Sequence, residues 1–139
     1  MSFEEKGTWL TAVIAILAPV LYLPTVVGQL TSMPFDDIDY QGSLLTVVGA
    51  TIGLSILGMI AIAISSPDEA DKSDQRDREI GRLGEYVGGI VLAVGMIVPF
   101  GLALAEIHQF WIAHAMYLAF AAGTLSGSIV KLVAYRRGF

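Results

Sequence analysis

Four long apolar stretches, roughly residues 9–31, 43–65, 86–105 and 109–134, fill most of this 139-residue chain. A helix that crosses a bilayer needs about 20 mostly apolar residues, and each stretch reaches that length. In lipid the backbone must satisfy its own hydrogen bonds, which leaves helices or closed barrels. The stretches are continuously apolar, whereas barrel strands alternate. The sequence therefore predicts one all-α domain over residues 1–139: an integral membrane, antiparallel bundle of four transmembrane helices, with a charged loop at 66–85. A mean hydropathy of +0.68 agrees, and the connections leave no room for a soluble domain.

The eight Lys and Arg residues set the expected orientation. Lys6 precedes the first stretch; Lys72, Arg76, Arg78 and Arg82 lie between the second and third; Lys131, Arg136 and Arg137 end the fourth. The other two connections carry none. Basic residues concentrate on the cytoplasmic side of membrane proteins, so both termini and the 66–85 loop are expected inside, at a plasma membrane. Trp9, Tyr86 and Tyr135 would sit at the inner face, and Tyr40, Phe110, Trp111 and Tyr117 would lie towards the outer face. The first stretch is too long for a secretory signal, and no small-residue cleavage pattern follows it.

Small residues at four-residue spacing let helix backbones approach closely in lipid. Gly49 and Gly53 have this spacing in the second stretch, Gly84 and Gly88 near the third, and Ala119, Gly123 and Gly127 in the fourth. They are the expected helix-packing residues, within one chain or between copies. Pro19 and Pro24 are expected to bend the first helix.

In the middle loop, Ser66, Pro67 and Glu69 fit a capping box. Asp74 is spaced to pair with Arg78, and Glu79 with Arg82. Ile80, Leu83 and Val87 share a helical stripe. The third helix should therefore begin near Asp74 and project about three turns beyond the membrane. Asp74, Arg76, Asp77 and Arg78 are the expected contacts for a cytoplasmic partner.

Chemistry-bearing residues are few. Asp36, Asp37 and Asp39 crowd the first outer loop, and Glu106 and His108 the second. If the loops meet, Asp36 or Asp37 with Glu106 and His108 would offer a mixed carboxylate–imidazole site for Zn²⁺ or a similar ion. His114 lies about 9 Å further into the fourth helix. An ionisable residue at that depth is a functional candidate, and an interhelical hydrogen bond is the structural alternative. His108 and His114 are about 120° apart on one helix and cannot chelate one ion as an i, i+4 pair would.

Absences narrow the classes. Cysteine is missing, so there is no disulfide or thiolate chemistry. No Asp, Glu, Lys or Arg sits mid-span, where proton-coupled transporters place one. Small multidrug-resistance exporters are similar in size but depend on a buried Glu in the first span; here Glu4 and Glu5 precede it. Both histidines belong to one helix or its lip, which disfavours haem. There is no G-x-S-x-G, H-E-x-x-H or phosphate-binding loop, and Ser126 and Ser128 lie far from His114. No enzyme activity, cofactor or nucleic-acid partner is expected.

The run Asp74-Gln-Arg-Asp-Arg-Glu-Ile80, with Gly84-Glu85-Tyr86, resembles a D-[EQ]-R-D-x-x-I signature of small four-helix bacterial membrane proteins with no assigned activity. Phe110–Phe120 and Lys131–Phe139 look like its actinobacterial members. The resemblance implies a bacterial inner-membrane protein in a regulatory or stress-response setting. The expected function is a homo-oligomeric scaffold or accessory protein contacting a partner through its charged loop. The alternatives are a small oligomeric transporter or channel and an outer-face metal or pH sensor. Polar groups gathered on one face, especially His114, Thr124, Ser126 and Ser128, would favour transport; a uniformly apolar interior would count against it.

Overall fold

The computed structural model describes residues 1–70 and 74–138, the side chains of 69 and 70 excepted. Its helices run in the order α1 (Phe3–Ser32), α2 (Tyr40–Ser65), α3 (Pro67–Ala70), α4 (Gln75–Gly95), α5 (Ile97–Leu104) and α6 (Gln109–Arg137). A 3-10 turn at Phe35–Asp37 follows α1, and the described residues contain no strand. α4 and α5 form one rod, Gln75–Leu104. With it, four described rods are long and apolar enough to cross a membrane, as a multi-pass membrane protein requires.

The rod breaks at Met96 for a local reason. Pro99 has no N–H to donate to the Gly95 carbonyl four residues back. Bonding resumes on either side: Met96 N–H donates to Leu92 O at 2.9 Å, and Phe100 N–H to Met96 O at 3.1 Å. α1 contains Pro19 and Pro24 yet runs unbroken as an α-helix.

Helix starts leave backbone donors without partners, and side chains satisfy several of them. Ser2 Oγ accepts from Glu5 N–H at 3.2 Å, and Asp39 from Gly42 N–H at 3.4 Å. Asp74 accepts from Gln75 N–H at 2.6 Å, so α4 begins where the sequence reading placed it. The Ser66 capping box extends to Glu69, whose side chain lies outside the description; Lys72 lies outside it entirely.

The main packing runs from α4 to α6, from α6 to α1, and from α1 to α2. Glycines decide the first step. A Cβ on Gly88 would stand 2.8 Å from Gly123 O, and one on Gly127 would stand 2.7 Å from Gly84 O. The two G-x-x-x-G runs thus interlock, backbone against backbone. A Cβ on Gly95 would meet the Ala119 Cβ at 3.0 Å. Gly49 and Gly53 behave differently: nothing within the protomer lies within 4 Å of a Cβ added there.

The start of α4 does not project freely. α6 reaches Arg137, so its last turns lie beside the first turns of α4. Ile80 is completely buried, and the Arg76 guanidinium donates to Tyr135 O at 3.3 Å. The expected Asp74–Arg78 and Glu79–Arg82 ion pairs do not form; the Asp74 carboxylate caps its own helix instead. Glu85 instead meets Lys131 of α6 at 4.0 Å.

The two ends differ in character. Lys6 Nζ donates to Ser66 Oγ at 2.9 Å, Ser2 Oγ to Asp77 at 3.4 Å, and Arg136 stacks 5.5 Å over the Trp9 ring. These contacts bring every described Lys and Arg to one end. The opposite end is an aromatic plug in which Phe110 packs on Tyr40 at 5.1 Å and Phe35 at 5.2 Å. Tyr40 and Phe110, expected towards the outer face, lie in this plug and are 8% and 2% exposed.

Candidate functional site

Tyr117, Ala121, Thr124, Ser128 and Lys131 recur at three- and four-residue intervals along α6, so they share one face. Thr8, Thr11, Ala15 and Ala18 do the same on α1. Where these faces meet, adjoining hollows run along the seam. One of about 350 Å³ lies among α1, α2 and α6, near the middle of the rods. A second, of about 270 Å³, lies among α1, α4 and α6. Both are lined by Thr11, Phe120 and Thr124, so they form one trough. α1 and α6 are its floor, and α2 and α4 its walls. A third hollow of about 260 Å³ continues past Thr8 and Ser128 to Glu4 and Lys131 at the basic end.

The hydroxyls around this trough fall into two groups. Four are satisfied by their own helices: Thr8 by Glu4 O, Thr11 by Gly7 O, Thr51 by Val47 O and Ser55 by Thr51 O, all at 2.7–2.9 Å. This back-bonding is the ordinary way to satisfy Ser or Thr inside a helix. Thr124 and Ser128 make no such bond, although Ser128 is only 5% exposed. Tyr117 lines the same trough, and its hydroxyl is buried without a hydrogen-bond partner. An unsatisfied buried hydroxyl costs about 1–3 kcal/mol.

His114 is 7% exposed, between this trough and the aromatic plug. Its Nδ1 lies 2.7 Å from Phe110 O, and its Nε2 lies 2.9 Å from the Tyr22 hydroxyl. A carbonyl can only accept, so Nδ1–H is the donor there. The neutral ring then accepts the Tyr22 proton at Nε2. The Tyr22 ring stacks on the imidazole at 5.7 Å and meets Tyr117 edge-on at 5.7 Å. His114 thus ties α6 to α1 through a buried hydrogen bond.

The outer loops do approach each other. Asp36, Asp39 and His108 line one polar hollow of about 310 Å³, but Asp37 and Glu106 do not. Among the described residues no three His, Asp or Glu side chains gather closely enough to hold an ion. His108 has a structural occupation: its Nδ1 caps α6, accepting from Phe110 N–H at 3.1 Å. Glu106 holds the tight α5–α6 turn at φ 54°, in left-handed backbone.

Of the four residues expected to meet a cytoplasmic partner, three are engaged within the chain: Asp74 as a cap, Arg76 with Tyr135 and Asp77 with Ser2. Arg78 is exposed, as are Glu79 and Arg82. The sequence alone does not single out Tyr22, Thr11, Thr51 or Ser55. The signal for Tyr22 was present: a tyrosine deep in an apolar span must find a partner for its hydroxyl. Comparison of the chain with protein-family models, with curated proteins and with solved structures finds no match.

Proposed function

We propose that this chain is a non-enzymatic membrane protein of the small transporter or channel class, and that the trough is its working element. One observation carries the reading: Thr124 and Ser128, whose hydroxyls are unbonded within the protein, line a trough that leads to Lys131 and Glu85. Polar groups with no internal partner are expensive inside a bilayer, and they are useful where something polar passes. The trough has a floor and two walls, so a second copy facing the first would complete a path. In this reading both termini and the basic end face the cytoplasm of a bacterial cell.

Because the chain has no cysteine, single cysteines report access directly. Thr124→Cys and Ser128→Cys should react with a membrane-impermeant maleimide in oriented vesicles. Ile129→Cys, on the exposed side of α6 away from the hollows, should resist it. Equal, slow labelling of all three would remove the transport reading.

A second reading keeps its own support. Gly49 and Gly53 form a close-packing face that nothing in the protomer occupies, as a scaffold assembled through α2 would require. Arg78, Glu79 and Arg82 would then meet a cytoplasmic partner. Native mass spectra decide whether copies associate: Gly49→Ile with Gly53→Ile should dissociate a scaffold of this kind, and a monomeric wild type would exclude it.

A further inference from the structure

At the basic end of the trough two adjacent donors go unused. The Lys131 side chain is 26% exposed, and its stem lies across Gly84, where an added Cβ would strike it. Among the described residues its ammonium makes no hydrogen bond, and the Glu85 carboxylate stands off at 4.0 Å. Ser128, one turn deeper on the same face of α6, is 5% exposed and keeps an unbonded hydroxyl. We propose that this end of the trough seats a phospholipid with a zwitterionic, primary-amine headgroup, phosphatidylethanolamine in chemistry. Its phosphate meets Lys131 and Ser128, and one acyl chain lies along the α4–α6 seam. This names the ligand class of the trough used in the transport reading and rests on that reading.

Charge sets the headgroup. Lys131 and Ser128 line both the hollow of about 270 Å³ and the adjoining one of about 260 Å³. An ammonium and a hydroxyl at i and i+3 suit the oxygens of a phosphate. A bare anion would also face two carboxylates, Glu85 in one hollow and Glu4 in the other. A bare cation would face Lys131. A phosphate that carries its own ammonium answers both signs.

Shape sets the rest. Beyond the charged end the first hollow is lined by Gly88, Gly89, Leu92, Phe120 and Gly123, none of them ionisable. From Phe120 to Lys131 it follows about 16 Å of helix, the depth of one leaflet of a bilayer whose apolar core is about 30 Å thick. The main packing joins α1 to α6 and α4 to α6 but not α1 to α4, so the cleft between them opens sideways to lipid.

The test places the full chain in nanodiscs of equal parts phosphatidylethanolamine, phosphatidylglycerol and phosphatidylcholine with matched chains. Native mass spectra then read the lipid retained. One phosphatidylethanolamine per chain is expected, favoured about tenfold over the anionic lipid and over phosphatidylcholine, whose quaternary amine has no N–H to give a carboxylate. Lys131→Met keeps the stem and should weaken retention about tenfold, and Ser128→Ala about fivefold. Glu4→Gln with Glu85→Gln should turn the preference towards phosphatidylglycerol. A Cβ on Gly89 meets no atom of the protein within 4 Å, so Gly89→Leu should fold, fill the chain slot and abolish retention with the headgroup residues intact. Equal retention of the three lipids, or a preference unchanged in Lys131→Met, would overturn the proposal. So would displacement of the lipid by phosphoethanolamine, which marks a site for a soluble zwitterion. The readout needs no flux: maleimide-reactive trough cysteines without a lipid preference would overturn the lipid alone. Unreactive cysteines beside selective retention would remove transport and keep the lipid site.

Discussion

Histidine does two different jobs in this chain, and the difference lies in which ring nitrogen is occupied. At His108 the Nδ1 accepts a backbone proton and starts α6. His108→Ala should cost about 1 kcal/mol, in the range of a lost N-cap. His108→Asn, which can accept the same bond, should restore most of it. Denaturant unfolding in detergent, followed by helical circular dichroism, measures both. At His114 the Nδ1 donates and the Nε2 reaches across to Tyr22. A double-mutant cycle of Tyr22→Phe and His114→Leu should give a coupling of roughly 0.6–2 kcal/mol, the scale of interhelical hydrogen bonds in membranes. A coupling of zero would mean that the bond contributes nothing and that the pair merely packs. Glu106 offers a third test at this scale. A non-glycine residue in left-handed backbone is strained by about 1–2 kcal/mol, so Glu106→Gly should leave stability unchanged or raise it slightly.

Among the elements, the same spacing of small residues has two outcomes. Gly84 and Gly88 of α4 interlock with Gly123 and Gly127 of α6, where an added methyl would strike a carbonyl oxygen. Gly88→Ala should therefore force two backbones apart and cost about 1–3 kcal/mol. Gly53→Ala meets nothing in the protomer, and alanine is the better helix former by about 1 kcal/mol. It should stabilise the protomer, and it should weaken any assembly that uses this face. Opposite signs for two chemically identical substitutions would be read from unfolding curves, and the assembly effect from native mass spectra. The break at Met96 belongs to this scale too: it follows from Pro99 and leaves α5 as a short continuation of α4 rather than a separate span.

The whole molecule is polarised, with basic residues at one end and an aromatic plug at the other. If the positive end faces the cytoplasm, Ser2→Cys and Gly138→Cys should be labelled only from that side by an impermeant thiol reagent. Asp37→Cys should be labelled only from the opposite side. Labelling of Asp37→Cys together with Gly138→Cys from one side would refute the four-span topology. The aromatic plug and the Tyr22–His114 bond fix α6 to α1 and α2 at one end, and the hollows follow the seam from the middle of the rods to the basic end.

The sequence by itself determined the all-helical class of this protein. Continuous apolar runs of bilayer length admit only helices, because backbone groups have no other partner in lipid. It also determined the number of long rods, the start of α4 at Gln75 and the gathering of charge between and beyond the spans. Those are local properties, set by hydropathy, capping and spacing within a few turns. What only the tertiary structure decided depends on which faces meet. It chose between identical glycine motifs, using one pair and leaving another bare. It laid the start of α4 against α6 instead of leaving it free, and turned Tyr40 and Phe110 inward. It also found His114 a partner ninety-two residues away in Tyr22. The trough was half legible: the sequence groups His114, Thr124, Ser126 and Ser128 on α6 as one polar set, and of these Thr124 and Ser128 line the trough while Ser126 and His114 do not. Their counterparts on α1 and α2 were not, because a threonine or serine in an apolar run reads the same whether it back-bonds or lines a cavity. Only the packing of the helices separates those cases, by leaving some hydroxyls with a partner and others without.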